Sequence, residues 1–134
     1  MGRIYTVGYG NMSADEFLYL LEANGVELVI DVRRFPTSKY PEFVKENLEK
    51  MLGQRGMGYL HIHELGGYRG GYRRYMETDE FRKGIERLLR AAGERTSAIM
   101  CVESSPSGCH RRYISSELER LGWEVVHLRK SAGA

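Results

Sequence analysis

The sequence predicts one α/β domain built on a mainly parallel five-stranded sheet with helices on both faces. Three observations predict it. Apolar, β-branched runs alternate strictly with amphipathic runs in the order βαβαβαβαβ, and such alternation means parallel strands joined by crossover helices. Several of the apolar runs are continuous, as in strands covered on both sides. The chain has 134 residues, 42% hydrophobic and 28% charged, which suits a single domain over residues 1–134 with one core.

The predicted strands are IYTVGY (4–9), ELVIDV (27–32), GYLHIH (58–63), SAIMCVE (97–103) and EVVHL (124–128). The first helix begins at Ser13, which stands at capping-box spacing from Glu16. Phe17, Leu18, Leu20 and Leu21 give its apolar face, and Asn24-Gly25 stops it. The second opens at Pro41, which suits a first helical turn. Val44, Leu48, Met51 and Leu52 then share one face before Gly53. Thr78 caps the third, with Asp79 and Glu80 complementing the dipole. Its face is Phe81, Ile85, Leu88, Leu89 and Ala92, and Gly93 ends it. Ile114, Leu118 and Leu121 mark the fourth, stopped by Gly122.

Composition narrows the function classes. No apolar run is long enough to span a membrane. The opening MGRIYTVGYG lacks the apolar core of a secretory signal, so a cytoplasmic protein is expected. In that compartment the chain's two cysteines argue for free thiols, metal or redox chemistry before a structural disulfide. A net charge of +2 makes no global case for nucleic acid. Basic residues are nevertheless concentrated in RRFPTSK and YRGGYRRY. A single Gln and three Asn fit a thermophile's avoidance of thermolabile amides.

In parallel α/β folds ligands sit beyond the carboxyl ends of the strands. The strand-end loops are GYGN, DVRRFPTSK, HIHELGGYRGGYRR and CVESSPSGCHRR, and they hold nearly every unusual polar residue. In the last, Cys101 ends a strand while Cys109, His110 and Arg111 stand where the fourth helix begins. That helix start suits an anion and favours a thiolate. Arg111 is a candidate anion grip, and Glu103 a candidate general base. Asp31 closes the second strand, where a carboxylate serves catalysis or pairs with a neighbouring arginine, Arg33 or Arg34, to tie the loop down. Asn11, Ser38, Gly66 and Gly67 complete the candidate ligand contacts. His61 and His63, expected on one strand face, match no compact zinc spacing, and neither metal nor cofactor is expected. The loop Tyr68–Tyr75 has the basic, aromatic composition of a phosphate-contacting or base-stacking flap.

The blocks TVGYGNMSADEFL, VIDVRRFPTSK, ELGG, YMETDEFRKGIERLL, MCVESSPSGCHRRYISSEL and VVHL together resemble the "domain of unknown function" family numbered 488, in order and over essentially the whole chain. The block holding Cys101, Glu103, Cys109, His110 and Arg111 is the most specific part. The family pattern has His then Ser in the first strand loop, where this chain has Tyr9 and Gly10. The family brings no assigned activity. A fainter similarity, to rhodanese-like domains, rests on Asp31-Val32-Arg33 and on the strand ending in Cys101. The usual loop there is shorter than the stretch from Cys101 to Arg111.

Three functions follow as expectations. The first is an enzyme binding an anionic small molecule, phosphorylated or nucleotide-like. In it Arg33 and Arg111 anchor the anion, Cys101 or Cys109 supplies a nucleophile or redox thiol, Glu103 and Asp31 act as acid and base, and His110 carries protons. The second is an RNA- or DNA-binding module using Tyr68–Tyr75. The third is a rhodanese-like sulfurtransferase or phosphatase.

Overall fold

The structure is a computed structural model that describes residues 2–67, 70–103 and 110–130. Its strands are β1 (Arg3–Gly8), β2 (Leu28–Asp31), β3 (Gly58–His61), β4 (Ser97–Cys101) and β5 (Glu124–Leu128). They form one sheet in the order β3-β2-β4-β1-β5, with every neighbouring pair parallel. The helices are α1 (Ala14–Ala23), α2 (Lys45–Gln54), α3 (Tyr72–Tyr75), α4 (Asp79–Glu94) and α5 (Arg111–Arg120), with short 3₁₀ turns at Pro41–Phe43 and His63–Leu65.

Alternation along the strands divides the core in two. Ile4, Leu28, Ile30, Ile99 and Cys101 face α4 and α5, packing with Phe81, Ile85, Leu88, Ile114 and Leu118. Val7, Val29, Ala98 and Met100 face α1 and α2, packing with Phe17, Leu18, Leu21, Leu48 and Leu52. The central strands β2 and β4 are buried throughout, which explains their continuous apolar spelling.

Local signals set the helix starts. Ser13 Oγ accepts from Glu16 N at 3.1 Å while Glu16 Oε1 accepts from Ser13 N at 2.9 Å, the reciprocal capping box. Thr78 Oγ1 accepts from Phe81 N at 3.2 Å.

Other expectations need correcting. Pro41 does not open the second helix. It starts a separate 3₁₀ turn, after which Val44 is extended (ψ 140°), so α2 begins at Lys45. Buried Phe43 and Leu48 are both held in the core by this break, a tertiary demand that local propensity does not register. The third strand ends at His61, and His63 enters a 3₁₀ turn instead of sharing a strand face with it. The basic aromatic loop contains a helical turn, α3, that composition did not signal. No helix among the described residues is long and apolar enough to cross a membrane.

Candidate functional site

α2 leads the chain from β2 outward to β3, and α5 leads it from β4 the opposite way, past β1 to β5. The loops leaving β2 and β4 therefore part, and a crevice opens at such a switch point. A cavity of about 270 Å³ lies there, lined by Gly10, Asn11, Lys39, Tyr40, Val102 and Glu103. These come from the loops after β1, β2 and β4.

Backbone contacts build its walls. Tyr9 N donates to Cys101 O at 3.1 Å and Gly10 N to Val102 O at 2.8 Å, so the first loop continues the sheet ladder against the fourth. Such an approach requires glycine, because a Cβ on Gly8 would overlap the Glu103 carbonyl. The β2 loop is held by Lys45 N donating to Pro36 O at 3.0 Å and Thr37 N to Phe35 O at 2.8 Å. Ser38 serves this loop too: its Oγ accepts from Tyr40 N at 3.1 Å.

Two buried arginines underlie the site, on opposite faces of the sheet. On the α1/α2 side, Arg33 Nη2 and Nε donate to Asp31 at 2.7 and 2.9 Å. Its Nη1 donates to Phe43 O at 2.7 Å, Thr37 O at 3.1 Å and Tyr9 Oη at 3.2 Å. Tyr59 Oη donates to Asp31 Oδ2 at 2.6 Å, and burial, followed by Asp31, keeps that phenol protonated well above its usual range. Asp31 is fully buried and Arg33 nearly so. This pair ties the β2 loop to the sheet, and its donors and acceptors are directed inward.

On the α4/α5 side, Arg111 is 1% exposed. Its Nε donates to Cys101 Sγ at 3.1 Å, Nη1 to Thr6 Oγ1 at 2.8 Å and Nη2 to the Glu103 carbonyl at 2.6 Å. Thr6 Oγ1 in turn lies 2.6 Å from His127 Nδ1. Burial, and then Arg129, lower the Arg111 pKa to about 10, so the guanidinium stays charged at neutral pH. Cys101 is 1% exposed and its sulfur is disulfide-bonded, which corrects the expectation of a free thiol there. That expectation rested on compartment, which governs how long a disulfide persists but not whether backbone geometry permits one. Cys109 lies outside the described residues.

His110 precedes α5 in helical geometry without capping it through its side chain. Its Nε2 donates to Val32 O at 3.0 Å, and since a carbonyl only accepts, the proton sits on Nε2. Burial lowers its pKa, with Arg111 and Arg34 acting in the same sense.

The structure thus gathers Asn11 and Glu103 in one cavity, while Asp31, Arg33 and Arg111 form its foundations. Gly66 and Gly67 stand elsewhere. A Cβ on Gly66 would overlap the Arg34 backbone, and Gly67 O accepts from Arg34 Nε at 2.9 Å. Sequence reasoning missed Lys39, Tyr40 and Val102. Lys39 ends the β2 loop with no motif to mark it, and the apolar run SAIMCVE makes Val102 read as strand. Of the aromatic flap, Tyr68 and Arg69 lie outside the described residues, and two of its tyrosines have structural contacts. Tyr72 Oη donates to Leu65 O at 2.8 Å and Tyr75 Oη to Glu64 O at 2.7 Å, so both rings brace the interior. Among the described residues no group of three His, Cys, Asp or Glu side chains is placed to hold a metal ion.

The pattern of the family described as "Domain of unknown function DUF488" matches residues 13–71 and 68–118. No curated protein and no solved structure matched the chain. With the matched segments covering most of the sequence, from the capping box of α1 to the last turns of α5, the chain belongs to the DUF488 family.

Proposed function

We propose that this protein is an enzyme acting on an anionic, phosphorylated or nucleotide-like ligand bound in the strand-end crevice, with Glu103 as the acid/base group. The observation that carries this reading is the meeting of Asn11, Lys39 and Glu103 around one cavity at the switch point of the sheet. Lys39 supplies an exposed cation for a phosphate group. Asn11 offers both a donor and an acceptor. The Arg111 charge beneath the Glu103 carbonyl adds positive potential from below. Glu103, exposed at the rim, is free to take a proton from water or from a substrate hydroxyl.

The carboxylate version is favoured over the thiol version, because Cys101 is buried and its sulfur is engaged. The same fact weighs against rhodanese-like sulfur transfer, which needs an accessible thiolate. The nucleic-acid reading keeps one supporting observation, a groove lined by Arg73, Met76, Arg112, Tyr113 and Ser116.

A panel of phosphate mono- and diesters tests the proposal. Turnover by the native protein is expected to fall about 10²–10⁴-fold in Glu103→Gln, while Lys39→Met raises KM. Turnover unchanged in Glu103→Gln, or no binding of phosphate or nucleotides by titration calorimetry, would reject it.

A further inference from the structure

The exposed large hydrophobic side chains among the described residues are Tyr19, Phe35, Tyr40 and Val102. Two of them, Tyr40 at 41% and Val102 at 44%, line the strand-end cavity itself. A third, Phe35 at 75%, projects from the same β2 loop as Tyr40. Single exposed apolar residues need no explanation, but apolar side chains meeting around one polar cavity do. Both are also held in place. Tyr40 N donates to Ser38 Oγ, and the Val102 carbonyl accepts from Gly10 N at 2.8 Å. Lys39 Nζ stands over the Tyr40 ring, 5.3 Å from its centroid, so a cationic group and an aromatic plate are adjacent.

We infer that the ligand of this crevice carries a flat ring next to its anionic group, as a nucleoside monophosphate does, with the ring against Tyr40 and Val102 and the phosphate at Lys39. The inference rests on the crevice reading above and names its substrate class. An inorganic or sugar phosphate would leave Tyr40 and Val102 exposed to water. A ring placed against them buries apolar surface on both partners and stacks on the tyrosine face, which tolerates any base. Pinned loops mean that little ordering is required when the ring arrives.

Titration calorimetry with AMP, UMP, phenyl phosphate, adenosine and inorganic phosphate tests the inference. AMP and UMP are expected to bind at least about tenfold more tightly than inorganic phosphate. Tyr40→Ala and Val102→Ser should each remove most of that preference, bringing nucleotide affinity down toward that of inorganic phosphate for the same variant. Tyr40→Phe should retain it, since the ring and not the hydroxyl makes the contact. Phenyl phosphate falling with inorganic phosphate, below the nucleotides, would assign the ring to a base. Phenyl phosphate matching the nucleotides would assign it to any aryl group, and either result supports the ring.

Equal affinity for AMP and inorganic phosphate, both weakened by Lys39→Met, would overturn the ring while leaving the anion site intact. Absence of all binding would overturn both readings. If Tyr40→Ala and Val102→Ser altered self-association in sedimentation runs but left AMP affinity unchanged, the patch would be a contact between copies and the inference would fail. Both side chains are exposed, so the variants are expected to fold, which circular dichroism checks.

Discussion

Two buried arginines show how one residue type is used in different ways. Arg33 is neutralised by Asp31 two positions earlier, so removing the carboxylate would leave a buried guanidinium without its counter-ion. Asp31→Ala is expected to lose about 3–5 kcal/mol in urea unfolding. A loss below about 1 kcal/mol would mean that solvent reaches Arg33. Arg111 instead rests on a sulfur, a hydroxyl and a carbonyl, with the Glu103 charge further off. His110 gives a pH signature. Burial holds its pKa below the usual 6.5, and His127 shifts the same way through burial and then Arg111. The unfolded chain therefore binds these protons more readily than the folded one. Their contribution to stability is complete above about pH 6.5 and is lost as pH falls below that toward the depressed folded values. Unfolding midpoints measured from pH 8 to 5 should drop, and His110→Gln should flatten part of the drop. An unchanged slope in the variant would show that His110 titrates normally.

Among the elements, the β1 and β4 loops depend on each other. Gly8 permits the Glu103 carbonyl to pass directly over β1 and meet Arg111. Gly8→Ala is expected to destabilise by about 1–3 kcal/mol in urea unfolding, through overpacking against the Glu103 carbonyl. Gly67→Ala is the control: its Cβ would meet nothing within 4 Å, and a change within about 0.5 kcal/mol is expected. Thr78→Ala should cost about 1 kcal/mol in thermal or urea melts through loss of the α4 cap. These starts were readable because Ser13, Glu16 and Thr78 act through neighbours three residues away. The 3₁₀ turn at Pro41–Phe43 was not readable, since Phe43 stacks on Tyr9 at 4.2 Å between ring centroids, a partner distant in sequence. The importance of Gly8 was hidden for the same reason, as its constraint comes from residue 103.

For the whole molecule, the two cores share the central strands β2, β4 and β1, so neither persists without the other. Unfolding should be cooperative. Fluorescence of the single tryptophan, Trp123 beside the α4/α5 core, and far-ultraviolet circular dichroism should report coincident transitions. Separated midpoints would show that one helical layer detaches first. The sequence by itself determined the α/β class, the five strands and the N-terminal caps of α1 and α4, because periodicity and capping are local and repeat along the chain. It also pointed to the strand ends as the place to look for a candidate site, since that follows from parallel topology alone. Only the tertiary structure decided the strand order, and with it which loops border the crevice. It decided too that Arg33 and Arg111 lie beneath the site on opposite faces, while Lys39, Tyr40 and Val102 line it. Spacing places a residue on one side of its own strand, but whether its side chain meets a ligand or another strand's backbone depends on partners that local sequence does not encode.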